Sequence, residues 1–192
     1  MRAKSLEDLE PQFRAIADRA STLVAGLADV AALTRRPKPD SWSVAECLAH
    51  LNISADFYFP LWHRELAQAR RDGRAADPPY RLDFWGWALV WTLEPPPKFR
   101  LRAPSKSQPV EIGSPESVLP GFLDRHRRII ETLHSARGLA VDKIKLVSPF
   151  DSRVSYSIWS SFCLTASHER RHLLQAERVA RVQAQGAARD VS

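Results

Sequence analysis

Apolar residues recur every three or four positions along most of this chain, and the pattern breaks in only a few places. Between residues 5 and 33, Leu6, Leu9, Phe13, Ile16, Ala20, Leu23, Leu27 and Val30 trace one stripe. That spacing is the period of a helix with one buried face, and it predicts a first helix over this range. Arg35-Arg36-Pro37-Lys38-Pro39 ends it, because proline lacks the amide hydrogen and clashes with the preceding turn. A second helix opens at Ser43, where Glu46 three residues on completes a capping box and Trp42 is placed to staple against Cys47. Its stripe of Cys47, Leu51, Ser54, Tyr58 and Leu61 continues to about Arg71, with a kink expected at Pro60 and an end at Asp72-Gly73. Ser114-Pro115-Glu116 reads as cap, first-turn proline and first-turn acid, so a third helix is predicted from there to a stop at Gly138. Residues 139–148 read as a loop or extended link, and no strand pattern of weight appears. A last helix is predicted over 155–183, where Ile158, Phe162, Thr165, His168, His172, Gln175 and Val179 share a stripe.

Four long amphipathic helices and no strands make an all-α four-helix bundle. The connection between the second and third helices is long. Residues 74–113 form a proline- and tryptophan-rich insertion, with Pro78-Pro79 and Pro95-Pro96-Pro97 around the apolar run Phe84-Trp85-Gly86-Trp87-Ala88-Leu89-Val90-Trp91-Thr92-Leu93. That run predicts a short helix laid over one end of the bundle. Its three tryptophans suit either a cover or a dimer surface, since exposed aromatic patches mark interfaces. The 192 residues fit one domain, 1–192, with a core from about 5 to 183. Residues 184–192 lack an apolar period and are expected to form a loose tail.

Composition narrows the function classes. No apolar run approaches the roughly 20 residues that cross a bilayer, and the opening ten residues carry no leader pattern. The two cysteines, Cys47 and Cys163, lie in apolar helical surroundings and read as small buried residues of a reducing compartment. A cytoplasmic location without a membrane partner is therefore expected. The net charge of +6 comes from Lys and Arg scattered over every segment. No nucleic-acid-binding signature accompanies it, so a solvated basic surface is the reading.

The chemistry lies in Ser167-His168-Glu169-Arg170-Arg171-His172-Leu173-Leu174-Gln175. Histidines four apart share one helix face, and two imidazoles there can grip one metal ion. The string also matches His-Glu-x-x-His, in which the Glu is a metalloprotease base. The extended form of that motif needs Gly at Gln175 and His at Arg178, and neither is present. The candidate third ligand is His50 on the second helix. Bundles build metal sites between facing helices.

A Trp-Ser before a capped helix, Glu46 then His50-Leu51 within it, and a distant His168-x-x-x-His172 together resemble the DinB-like superfamily, which includes bacillithiol- and mycothiol-dependent transferases. The likeness spans about residues 5–183. It implies up-down-down-up connections, with the 74–113 insertion as the long crossing. It also implies a divalent metal, usually zinc or nickel, held by His50, His168 and His172. A small-molecule substrate, a thiol among the options, follows, with thiol transfer or hydrolysis at the metal as the reactions; no thiol-binding residues can be matched. The alternative is a non-enzymatic bundle with a structural or vestigial metal that serves as an interaction module. Asn52, Glu46, Thr165 and Gln175 are candidates to orient the imidazoles. His126 near the third helix's core face is expected to be solvated, and Cys47 to be a buried hydrophobe. Glu169, Arg170 and Arg171 are expected on the outer face in solvent or ion pairs, and His63 and His134 on the surface without partners.

Overall fold

The computed structural model of the chain describes residues 3–99, 102–109 and 112–190, and for 187–190 the backbone alone. Six helices follow in order: α1 (Leu6–Ala25), α2 (Val30–Thr34), α3 (Val44–Arg71), α4 (Phe84–Leu93), α5 (Val118–Ser135) and α6 (Ile158–Asp190). The four long ones, α1, α3, α5 and α6, form the bundle. Their directions can be read from pairs of contacts. Gln12 meets Arg170 and Arg19 meets Glu177, so α1 and α6 run parallel. Glu10 meets His134 while Phe13 meets His126, so α5 runs against α1. Asn52 reaches Val118 and Arg70 reaches Ser135, so α3 and α5 are parallel. His50 meets His168 and Trp62 meets Ser161, so α3 opposes α6. The order is up-down-down-up. Only the consecutive parallel pair, α3 and α5, needs a return crossing, and residues 74–113 supply it.

The core takes most of the predicted stripes and adds Leu48, Trp62 and Trp159, while Val30, at the end of the first stripe, is exposed. Phe13, Ile16, Leu48, Leu51, Trp62, Phe122, Ile129, Leu133, Trp159 and Phe162 are all buried. Side chains of this size contribute about 1.5–3 kcal/mol each on full burial. Some polar atoms carried inside find partners: Trp62 Nε1 donates to Ser161 Oγ at 2.7 Å, and the Tyr58 and Tyr156 hydroxyls lie 2.6 Å apart.

Several boundaries differ from expectation. The first helix stops at Ala25, because Gly26 weakens the helix and Asp29 caps a new one, accepting from Ala32 N at 2.7 Å. The third helix opens as a 3-10 turn over Pro115–Ser117, and Ser114 does not cap it through its side chain. The chain before the last helix is a small antiparallel hairpin of β1 (Lys145–Val147) and β2 (Ser155–Ser157), with Leu146 opposite Tyr156. Tyr156 is thereby delivered to Tyr58. The expected loose tail is helical as far as Asp190; its alanines favour helix without an apolar face. Residues 191 and 192 lie outside the described part. α3 runs as one element through Pro60. Finally, α4 does not sit over an end of the bundle. Gly86 abuts Ser160, and Glu94 pairs with Arg170 at 2.6 Å, so α4 lies along the flank of α6, parallel to it. Gly86 is needed at that contact, since any Cβ there would overlap the Ser160 side chain.

Candidate metal centre

The site begins with a helix start. Ser43 Oγ accepts from Glu46 N at 3.2 Å, and Glu46 returns the bond to Ser43 N at 2.8 Å. Arg36 holds the same carboxylate through an ion pair. This box fixes where α3 begins, and so fixes the face on which His50 falls. On α6, the four-residue spacing places His168 and His172 one turn apart on the side facing α3. Because α3 opposes α6, the three rings arrive at one level. Their centroids are 5.0 Å (His50 to His168), 4.5 Å (His50 to His172) and 4.6 Å (His168 to His172) apart. One ring nitrogen from each lies within 4.8 Å of the others.

The outer ring nitrogens set the inner ones. His50 Nδ1 donates to the Ser107 carbonyl at 2.7 Å, so its Nε2 carries a lone pair. His172 Nδ1 donates to Gln175 Oε1 at 3.1 Å, with the same result. His50 Nε2 is 3.1 Å from His168 Nε2. Burial pushes the His50 pKa down, with the Ser107 bond opposing it. Burial and then the neighbouring charges of His172, His50 and Arg171 hold His168 well below the usual range. Burial, His50 and Arg171 bring His172 down to about 3. All three rings are therefore neutral near pH 7, the form that ligates metals. Trp42 covers one side, stacked on His172 at 5.7 Å and tilted against His50 at 5.0 Å. His50 is buried, while His168 and His172 keep part of their surface open.

This donor set fits a divalent transition metal. Tetrahedral ligands at about 2.0–2.1 Å from zinc sit roughly 3.3 Å from one another. The 3.1 Å His50–His168 separation matches that, and the hydrogen bonds to Ser107 and Gln175 are the kind that hold ligating imidazoles in one tautomer. Three neutral imidazoles leave a coordination position free.

A sequence model of the DinB superfamily matches residues 12–176. The chain belongs to the DinB superfamily. Among solved structures, YfiT from Bacillus subtilis is similar; it is described as a probable metal-dependent hydrolase with an unusual four-helix bundle topology. The TM-score is 0.61 at 13% identity, with 96% of this chain and 90% of that one covered. At that identity the likeness bears on the fold, which both share. No curated protein matches the chain in sequence.

Of the residues proposed to orient the rings of this DinB-superfamily member, Gln175 does so. Asn52 instead donates to the Val118 carbonyl, Thr165 to the Ser161 carbonyl, and Glu46 serves the cap. The Ser107 carbonyl went unpredicted, and nothing in the sequence marks it, since every residue carries a carbonyl. Cys47 is buried, as expected, and is not among the clustered donors.

Two expectations fail together. His126 is buried rather than solvated, and Glu169 is buried rather than outward, at 3% and 2% exposure. His126 Nε2 lies 3.2 Å from Glu169 Oε2, and neither atom has another partner. His126 Nδ1 donates to the Phe122 carbonyl at 3.0 Å, and its ring packs against Phe13 and Phe122. Burial opposes charge on this ring, but the Glu169 carboxylate outweighs it and raises the pKa. The turn of about 100° from His168 points Glu169 at α5, not at water. Arg170 and Arg171 likewise lie half-buried under the insertion. Arg170 binds Glu94 and Gln12, and Arg171 donates to the Thr92 and Phe99 carbonyls. His134 is exposed, but pairs with Glu10 at 2.7 Å. His63 is exposed, as expected.

Proposed function

We propose that His50, His168 and His172 hold a divalent metal, zinc or nickel, and that the protein is a metal-dependent enzyme acting on a small molecule by hydrolysis or thiol transfer. One observation carries the reading. Three uncharged imidazoles converge within 4.8 Å, two of them with their outer N–H already engaged. A cation bound there supplies a Lewis acid with a free position, able to activate water or a thiol near neutral pH.

The chain's own residues prepare that position. Ser107 and Gln175 keep the protons of His50 and His172 on the outer nitrogens. The Arg171 charge lies close enough to disfavour protonation of His168 and His172, which keeps the inner lone pairs available. Trp42 shields one side of the rings from water, and the open edges of His168 and His172 leave a way in. Glu169 is turned to His126, so among the described residues no carboxylate joins the cluster as a base. Neither cysteine joins it, so a reacting thiol must arrive with the substrate.

Elemental analysis of the purified protein tests the metal. About one equivalent of zinc or nickel is expected in the wild type, with His50→Ala, His168→Ala and His172→Ala each reduced. Equal metal in wild type and His172→Ala would remove the basis of the proposal. Cobalt substitution then separates an enzyme from a structural site: added azide or small thiol should shift the visible spectrum at an open position. An unresponsive spectrum supports a closed, structural metal.

A further inference from the structure

The helix α4 is apolar on every side. Its ten residues, Phe84–Leu93, include no charge. A helix of that kind is buried all round in folded proteins. Here, among the described residues, one side packs on α6, and Trp87 and Trp91 border an open groove shared with α1. At 100° per residue, Gly86, Leu89, Val90 and Leu93 share the face toward α6. Phe84, Trp85, Trp87, Ala88 and Trp91 fan over the opposite face, and Phe84 is 70% exposed, Trp85 and Trp87 46%, and Trp91 45%. Phe99, 52% exposed, extends the strip from beside the Trp91 ring, 6.2 Å away. Thr92 is the outward polar side chain, and it spends its hydroxyl on the Ala88 carbonyl at 2.8 Å.

We propose that this strip seats against the same strip of a second copy of the chain, across a two-fold axis passing near Ala88. The pattern is self-complementary. The smallest outward residue, Ala88, stands in the middle, with Phe84 one turn before it and Trp91 about one turn after. Two antiparallel copies crossing at Ala88 bring their backbones close there and set Phe84 of each against Trp91 of the other. The area also suits a dimer. At about 200 Å² per aromatic side chain, the open fractions leave roughly 500 Å² per copy. Two copies therefore bury about 1,000 Å² from these rings alone, the size at which specific association begins. The helix face itself has the aromatic enrichment and lack of charge of an interface centre; Arg81 is exposed before it, and Lys98 Nζ reaches over the Trp91 ring at 5.0 Å. In the antiparallel crossing those cations of the two copies approach one another, so salt should strengthen the contact.

Sedimentation equilibrium from about 1 to about 200 µM tests this. The mass should rise toward twice 21.7 kDa, and 0.5 M NaCl should leave the dimer intact or tighten it. Ala88→Glu puts a carboxylate at the crossing point without touching the face toward α6. It should give a monomer with unchanged far-UV circular dichroism, and Trp85→Gln should do the same if the first variant folds poorly. Ala88→Cys should form an intermolecular disulfide on mild oxidation, while Lys143→Cys, remote from α4, should not. A wild type that stays monomeric throughout overturns the proposal. So does a dimer that survives both variants, or one that Ala88→Cys cannot cross-link. A monomer that sediments with phosphatidylglycerol vesicles but not phosphatidylcholine vesicles would overturn it in favour of a lipid surface.

Discussion

Replacing Glu169 with alanine should cost stability without costing metal, and the two readouts together test how α6 is divided between its faces. Glu169 sits one residue from His168, yet its carboxylate lies 3.2 Å from His126 Nε2 in a setting where both side chains are about 3% exposed. Removing one member strands the other, buried without its partner. Such losses run to about 3–5 kcal/mol, a large share of the 5–15 kcal/mol that holds a domain folded. For a domain this size, that corresponds to a melting point lowered by roughly 6–20 °C. His126→Leu alone should destabilise for the same reason. His126→Leu with Glu169→Leu should recover much of the loss, because an apolar pair needs no desolvation of charge. Urea denaturation of wild type, His126→Leu, Glu169→Leu and the double variant closes the cycle, and elemental analysis of Glu169→Ala follows the metal. The reasoning fails if Glu169→Ala melts within a degree of wild type, or if it loses metal as fully as His172→Ala.

Other consequences are simpler to check. Both thiols are pushed up to about 12, by burial first in each case, but Cys163, expected to be buried, keeps part of its surface open, so Ellman's reagent at pH 8 should miss Cys47 in the native protein, react slowly with Cys163, and find both after unfolding. Gly86→Ala should lose about 1–3 kcal/mol through overpacking against Ser160, and should change the near-UV signal of the α4 tryptophans; an unchanged spectrum and stability would mean that α4 does not press on α6 as described. Because the folded-state pKa of His126 is raised, its charge contributes stability fully below the ordinary histidine value near 6.5 and loses it as pH rises through the raised value. Wild type should therefore lose more stability than His126→Leu between pH 6 and pH 9, and parallel curves would refute this.

The parts of the fold written in local periodicity were legible in advance, and those that depend on distant partners were not. The capping box at Ser43 placed α3, and the four-residue spacing placed His168 and His172 on one face. The stripe through 5–33 was overextended, because apolar spacing continues across Gly26 while the backbone does not. Ser155–Ser157 was absorbed into the last helix, since three residues of strand carry no period and exist only through pairing with Lys145–Val147. The same limit hid the His126–Glu169 pair. Each residue alone is polar and at a helix edge; only the approach of α5 to α6, set by antiparallel and parallel contacts with α1, makes the position interior.

Parallel α3 and α5 demand a long return, so residues 74–113 must exist for topological reasons whatever their sequence. Some of their attachment points lie elsewhere, as where Tyr80 N donates to the Lys4 carbonyl and Asp83 pairs with Lys145, but several fall on the metal centre and its flanks. Ser107 offers its carbonyl to His50, Glu94 binds Arg170, and the Thr92 and Phe99 carbonyls take Arg171. Three of these four contacts are made to backbone carbonyls, which many residue types could supply, so they constrain the path of the chain more than its composition. A crossing required to close the bundle thus also sets the tautomer of one imidazole and holds the cation beside the other two. The outer face of α4 is the portion of that crossing to which neither duty assigns a partner. Its aromatic side chains, free of any role in closing the bundle or steadying the rings, are the part of the molecule that a second copy can explain.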